Sequence, residues 1–129
     1  MIRLTNIVDA AGTTKHTYYA GGLLWTEDGP NLALPNTSRI TNAFDSVGRL
    51  TSTRLLSSGS SLLNAHAYLY NLVGQRTNQT RTDASTVTYT YDNIGQLQSA
   101  IGSGGQSTEN LGYLYDTAWN LNSAAAARR

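Results

Sequence analysis

Two histidines, one adjacent Glu-Asp pair, two tryptophans and many serines are the residues of this chain whose chemistry could amount to a site. His16 and His66 have the chemistry of a general base or a metal ligand. Each lies two residues before a tyrosine, Tyr18 and Tyr68, and that spacing reads as strand alternation. A zinc site needs three or four ligands, and no His, Asp or Glu with ligand spacing accompanies either ring. Glu27 and Asp28 supply the carboxylates that acid–base catalysis uses, yet Gly29-Pro30 follows them directly and they read as a solvated turn. No serine stands in a Gly-x-Ser-x-Gly elbow. The "GSGG" at Gly102 lacks the lysine of a phosphate-binding loop and reads as a linker turn. The chain has no cysteine, which excludes thiolate chemistry and a disulfide framework. No catalytic residue, metal ligand or cofactor-binding residue is nominated, and the expectation is a protein that is not an enzyme.

Charge excludes further classes. Nine basic residues against eight acidic leave a formal net charge of +1, and the basic residues are scattered, so neither nucleic acid nor an anionic membrane is an expected partner. No apolar run approaches the roughly 18 residues of a membrane span, and the opening "MIRLTNIVDAAGTTKH" has no continuous apolar region of a signal peptide. What remains is aromatic. Trp25 and Trp119 could stack on sugar rings, which would make the chain a surface adhesion or carbohydrate-binding module. The competing reading packs the same rings against neighbouring hairpins.

The elements that must position these residues are repeats. One phrase recurs: an aromatic, an acidic or amide residue, two variable residues, glycine, a polar residue and leucine, numbered here as positions 1 to 7. Phe44 to Leu50 ("FDSVGRL") and Tyr91 to Leu97 ("YDNIGQL") are the clear copies. Tyr70 to Arg76, Tyr18 to Leu24 and Tyr115 to Leu121 are degenerate ones, and "RLTNIVD" at Arg3 reads as the tail of another. The anchors Tyr18, Phe44, Tyr70, Tyr91 and Tyr115 are 26, 26, 21 and 24 residues apart, a period characteristic of repeat architectures.

The physics of the phrase is a turn. Asp45, Asn71, Asp92 and Asp116 at position 2 can accept a hydrogen bond from the backbone two residues on. Gly48, Gly74 and Gly95 at position 5 can take the positive φ that closes a bulged hairpin. Trp119 replaces that glycine in the last copy. The flanks alternate, with Val87, Tyr89 and Tyr91 on one strand face and Thr86, Thr88 and Thr90 on the other. Tyr68 with Tyr70, and Tyr113 with Tyr115, extend the pattern into an expected column of rings. A second series of turn signals lies between the copies at Asp9, Ser57, Thr82 and Gly102, and this rhythm predicts an all-β meander of antiparallel hairpins. Thr26 to Ser38 holds both prolines and reads as an extended loop. "NTS" at Asn36 and "NQT" at Asn78 formally fit glycosylation acceptors.

The aromatic-Asp-x-x-Gly-x-Leu phrase resembles the YD repeat of RHS-type proteins, which include bacterial polymorphic toxins, the cocoon components of insecticidal toxin complexes, and teneurins. The resemblance runs from about Arg3 to Ser123. It implies hairpins laid side by side in a spiralling sheet, an open segment of a shell that encloses or displays another polypeptide, in a secreted or cell-surface setting. The partners it implies are further YD repeats of the same or a parent chain and a toxin cargo, with a surface glycan as the alternative. The family's self-cleaving aspartate motif has no counterpart here, since Asp92 and Asp116 belong to the repeat and neither precedes proline. The organisation expected is a repeat array over 1–123, entered in mid-unit, with a disordered tail over 124–129. Exposed sheet edges predict self-association.

Overall fold

In the computed structural model the described residues are 2–30, 37–105 and 110–126. They form β-strands joined by turns and contain no helix. β-branched and aromatic residues dominate many strands, as in "TVTYTY", which favours extended backbone. The strands hydrogen-bond in chain order, and every pairing described below is antiparallel. Among the described residues the fold is thus an all-β meander whose strands pair in linear order.

The chain divides into two units, Met1–Ala67 and Tyr68–Arg129. The first holds β1 (Asn6–Asp9), β2 (Gly12–Tyr18), β3 (Leu24–Asp28), β4 (Ser38–Phe44) and β5 (Leu50–Ser57), with the start of β6 (Leu62–Tyr70). The second holds the end of β6 with β7 (Arg76–Arg81), β8 (Thr86–Tyr91), β9 (Leu97–Ser103), β10 (Asn110–Tyr115) and β11 (Leu121–Ala126). β4 and β5 pair from Ser38↔Ser57 to Phe44↔Leu50, and β8 and β9 from Thr86↔Ser103 to Tyr91↔Leu97.

Very little is deeply buried. Val87 and Ala100, in the second unit, are the buried hydrophobic residues among those described. Leu63, Leu69, Leu72, Leu114 and Leu121 are all exposed. In the tyrosine-bearing strands the faces are unequal. Tyr68, Tyr70, Tyr89, Tyr91, Tyr113 and Tyr115 are half-buried, whereas the intervening Leu69, Thr90 and Leu114 are exposed. Such a sheet draws its cohesion from ladder hydrogen bonds and cross-strand pairs more than from a central core.

Three expectations are corrected. β11 continues to Ala126, past the boundary set at Ser123, because the alanines pair by backbone, Tyr113↔Ala124, Gly112↔Ala125 and Leu111↔Ala126. Residues 127–129 lie outside the described residues. The loop read as Thr26 to Ser38 is narrower, since Thr26, Glu27 and Asp28 belong to β3 and pair with Thr41, Ile40 and Arg39. Residues 31–36, with Pro35 and Asn36, lie outside the described residues. Gly102 is a strand residue opposite Val87, and the bend begins at Gly104 and Gly105, both at positive φ.

Candidate functional site

The motif turns form the recurrent site of this molecule. In each, the position-2 amide donates to the position-6 carbonyl and the position-5 amide donates back to the position-2 carbonyl. The distances are 3.0 and 3.0 Å for Asp45–Arg49 and Gly48–Asp45, and 2.9 and 3.1 Å for Asp92–Gln96 and Gly95–Asp92. Asn71, Asp116 and Tyr19 begin turns with the same pair of bonds. The side chain at position 2 adds a second lock. Oδ1 of Asp45 accepts from the amides of Val47 and Arg49 at 3.0 and 2.9 Å. Asp92 accepts likewise from Ile94 and Gln96, Asn71 from Val73 and Gln75, and Asp116 from Ala118 and Asn120.

Electrostatics follows from these bonds. The Arg49 amide, then the Arg49 guanidinium, which donates to Asp45 Oδ2 at 2.6 Å, hold the Asp45 carboxyl below the usual carboxylate range. The amide and side chain of Asn120 do the same to Asp116. Position 5 has φ of +84° at Gly48, +86° at Gly74 and +90° at Gly95. Trp119 sits in the same region at +66°, where an L-residue is strained by about 1–2 kcal/mol.

Position 1 sits at a register shift. Tyr18, Phe44, Tyr91 and Tyr115 each pair with the position-7 leucine of their own hairpin immediately after the ladder skips a residue. This bulge leaves the tyrosine hydroxyls reaching backward along the array. Tyr91 donates to the carbonyl of Arg76 at 2.7 Å and Tyr115 to that of Leu97 at 2.9 Å. Both acceptors are the position-7 residue of the preceding copy. Tyr18 donates to Leu4 at 2.6 Å, which gives Leu4 the same place in the Arg3 segment. Burial raises the Tyr91 hydroxyl above its ordinary pKa of 10.0.

A second contact between turns accompanies the hydroxyl bond. The position-6 side chain of one turn lies on the position-5 residue of the next. Gln75 Nε2 donates to the Gly95 carbonyl at 3.0 Å, and Gln96 Nε2 to the Trp119 carbonyl at 3.4 Å. In the first unit the Arg3 guanidinium lies 3.0 Å from where a Gly22 Cβ would stand, and Leu23 3.7 Å from that of Gly48. Position 5 therefore meets two demands, a positive φ and a neighbour's side chain overhead. The ladder escaped the reading of the sequence because it joins residues about twenty apart. Its only trace is the long side chain at position 6 in Arg3, Leu23, Gln75 and Gln96.

The other sequence-nominated residues fall outside this ladder. Trp25 leans on Tyr19, ring centroids 5.6 Å apart, and Tyr19 meets Phe44 edge-on at 6.0 Å. This cluster joins the one copy whose position 2 is tyrosine to Phe44 of the next copy, and the Tyr19 hydroxyl donates to the Asn42 carbonyl. Trp119 is 69% exposed and borders an open groove with Asp92, Gln96, Gln98 and Tyr113. His16 pairs with Glu27 across β2 and β3, Nε2 to Oε2 3.7 Å, while His66 pairs with Thr53 across β5 and β6. The structure does not bring the two histidines to a common ligand, and no group of three or more His, Cys, Asp or Glu suited to a metal occurs among the described residues. Glu27 and Asp28 are corrected from a solvated turn to strand residues with cross-strand partners. Asp28 accepts from both Nε and Nη2 of Arg39, which raises the Arg39 pKa through the hydrogen bonds. Asn78 is half-buried within β7 rather than on a surface loop.

These features define an antiparallel hairpin-repeat protein with one contact set recurring from copy to copy. No family model matches the chain, and no curated protein does. Among solved structures it is similar to the crystal structure of TcdB2-TccC3-TEV, at 15% sequence identity and a TM-score of 0.44. That similarity covers 93% of this chain and 8% of the other, so this chain spans a small part of that protein's length.

Proposed function

We propose that the chain is a structural segment of an RHS/YD-type shell, a stretch of wall that encloses or displays another polypeptide and has no catalytic activity of its own. The observation that carries this reading is the recurrence of the two contacts between copies, tyrosine hydroxyl to position-7 carbonyl and position-6 side chain over position 5. Contacts that repeat in this way propagate a surface; they do not converge on one point as a reaction centre does. The scarcity of buried apolar side chains fits a wall that depends on neighbouring repeats and on what lies against its faces. Its partners on this reading are further YD repeats of the same or a parent chain and a polypeptide cargo, in a secreted or cell-surface setting.

In such an array stability grows with the number of units, because each added repeat contributes another nearest-neighbour interface. A variant with an extra copy of residues 92–115 inserted after Tyr115 should melt at a higher temperature than the parent. A midpoint that stays level or falls would refute the array reading.

The exposed Trp119 beside Gln96, Gln98 and Tyr113 favours one second reading, a carbohydrate-binding surface. A glycan array decides between them. The shell reading expects no retained glycan, whereas retention abolished by Trp119→Ala or Trp25→Ala would replace it with the second.

A further inference from the structure

Position 7 of the motif is leucine at Leu24, Leu50, Leu97 and Leu121, and arginine at Arg76. The backbone of Arg76 keeps the shared role, since its carbonyl accepts from Tyr91. Its side chain brings a charge that the leucines lack. The guanidinium carbon stands 4.2 Å from the centre of the Tyr68 ring, a cation–π contact that holds the head in place. Nε is buried without a hydrogen-bond acceptor, although a buried donor is ordinarily paired. The charge is unmatched too. Arg39 and Arg49 each face a carboxylate, Asp28 and Asp45, but among the described residues no carboxylate pairs with Arg76. Arg76 borders an open groove of about 390 Å³ that Tyr70, Gly74, Tyr89, Tyr91 and Leu97 complete. All of these residues belong to the second unit. The hydroxyls of Tyr89 and Tyr91 already donate to Gln79 Oε1 and to the Arg76 carbonyl. Arg76 is therefore the cationic donor of the groove, and the rings are its apolar walls.

We propose that this groove binds a carboxylate attached to an aromatic or apolar group, with the carboxylate on the Arg76 guanidinium and the attached group against Tyr89, Tyr91 and Leu97. The planar fork of a guanidinium matches the two oxygens of a carboxylate. One cation balances a monoanion, and no second Lys or Arg lines the groove to neutralise a phosphate dianion. Phenol rings and a leucine meet the rest of the ligand, so a bare ion would leave most of the groove unfilled. Two sources present this chemistry: a small aryl-substituted acid, and a Glu or Asp side chain beside an aromatic residue of a polypeptide. The site does not rest on the shell reading. It lies within one unit and stands even if an inserted repeat fails to raise the melting point.

The experiment titrates the intact chain with hydrocinnamate, with hydrocinnamide, and with the capped dipeptide acetyl-Phe-Glu-amide, followed by proton–nitrogen NMR. The Arg76 Nε–H signal should shift with hydrocinnamate or the dipeptide and reach half-saturation at about 1 mM, the weak end of specific binding. Tighter binding of the dipeptide would support the site with a polypeptide as its source, and tighter binding of hydrocinnamate would support it with a small acid. Hydrocinnamide keeps the ring and loses the charge, so it should bind at least about tenfold more weakly. R76L restores the residue of the other copies and leaves the carbonyl for Tyr91, and its affinity for the acid should fall by about the same factor. R76K keeps the charge without the fork and should bind more weakly than the parent. If R76L fails to fold, the comparison of acid with amide on the parent chain still decides. No shift of Nε–H with either acid at about tenfold above that concentration would overturn the proposal. So would equal binding of hydrocinnamide, undiminished binding by folded R76L, shifts centred on Trp119, or inorganic phosphate bound as tightly as hydrocinnamate.

Discussion

Trp119 holds a backbone conformation that its four counterparts, Gly22, Gly48, Gly74 and Gly95, reach as glycine. Its φ of +66° strains a side chain that is 69% exposed and whose carbonyl alone receives Gln96. Trp119→Gly should therefore stabilise the protein by about 1 kcal/mol, read from urea unfolding at constant m. Destabilisation would show that the indole packs more firmly than its exposure implies. The turn carboxylates answer a different question. Asp45 and Asp116 are held below the ordinary carboxylate value of 3.8. A lowered pKa in the folded state gives stability that is present above the unfolded value and is lost as the pH falls through the folded one. Acid titration should release the Val47 and Arg49 amides below about pH 4, followed by NMR. Asp45→Asn should keep those amides bonded, as Asn71 keeps Val73 and Gln75, and should abolish the acid response. An unchanged response would move the titrating group elsewhere.

At the scale of the hairpin, the question is which contacts a reader can see in a sequence. The carboxylate-to-amide bonds run from a residue to those two and four places on, so Asp45 and Asp92 display their chemistry locally. The alternation of "TVTYTY" likewise shows a strand with two faces. The ladder is different in kind. Gln75 over Gly95 is set by pairing between hairpins, and no local propensity encodes it. The same limit explains Glu27 and Asp28, whose neighbours Gly29 and Pro30 speak of a turn while Lys15, His16, Ile40 and Arg39, from distant parts of the chain, complete a sheet around them. Gly95→Val tests both kinds of contact at once. A β-branched residue at φ +90° is strained, and its Cβ would stand 3.0 Å from Gln75 Nε2. Loss of about 2 kcal/mol is expected in chemical denaturation, and an unaltered midpoint would remove the turn from the folded core of the hairpin.

For the molecule as a whole, the all-β meander was legible because turn signals recur along most of the chain, while the scarcity of buried apolar side chains was not. A count of apolar residues does not say how many find a second layer, and here Val87 and Ala100 are the buried hydrophobic residues among those described. Heat-capacity change on unfolding reports that difference, since it scales with the apolar surface newly exposed. Calorimetry of this chain should give a value per residue below the usual figure of about 12–15 cal/mol/K. A value within that range would mean that association or further packing buries the exposed leucines in solution.

The two ends of each hairpin obey different rules. Between positions 2 and 6 the motif turn keeps one length throughout. The opposite connections vary, with two residues between Asp9 and Gly12, nine between Asp28 and Ser38, four between Ser57 and Leu62, and six between Ser103 and Asn110. Spacing between copies drifts in the strands as well as in these connections, since four residues also separate Arg81 from Thr86 and the shorter step from Tyr70 to Tyr91 comes from the shorter β7 and β8. The same division makes the molecule a loom with one fixed selvedge: foreign loops can be woven into the variable side, one in each course, while the register of the strands is kept by the other.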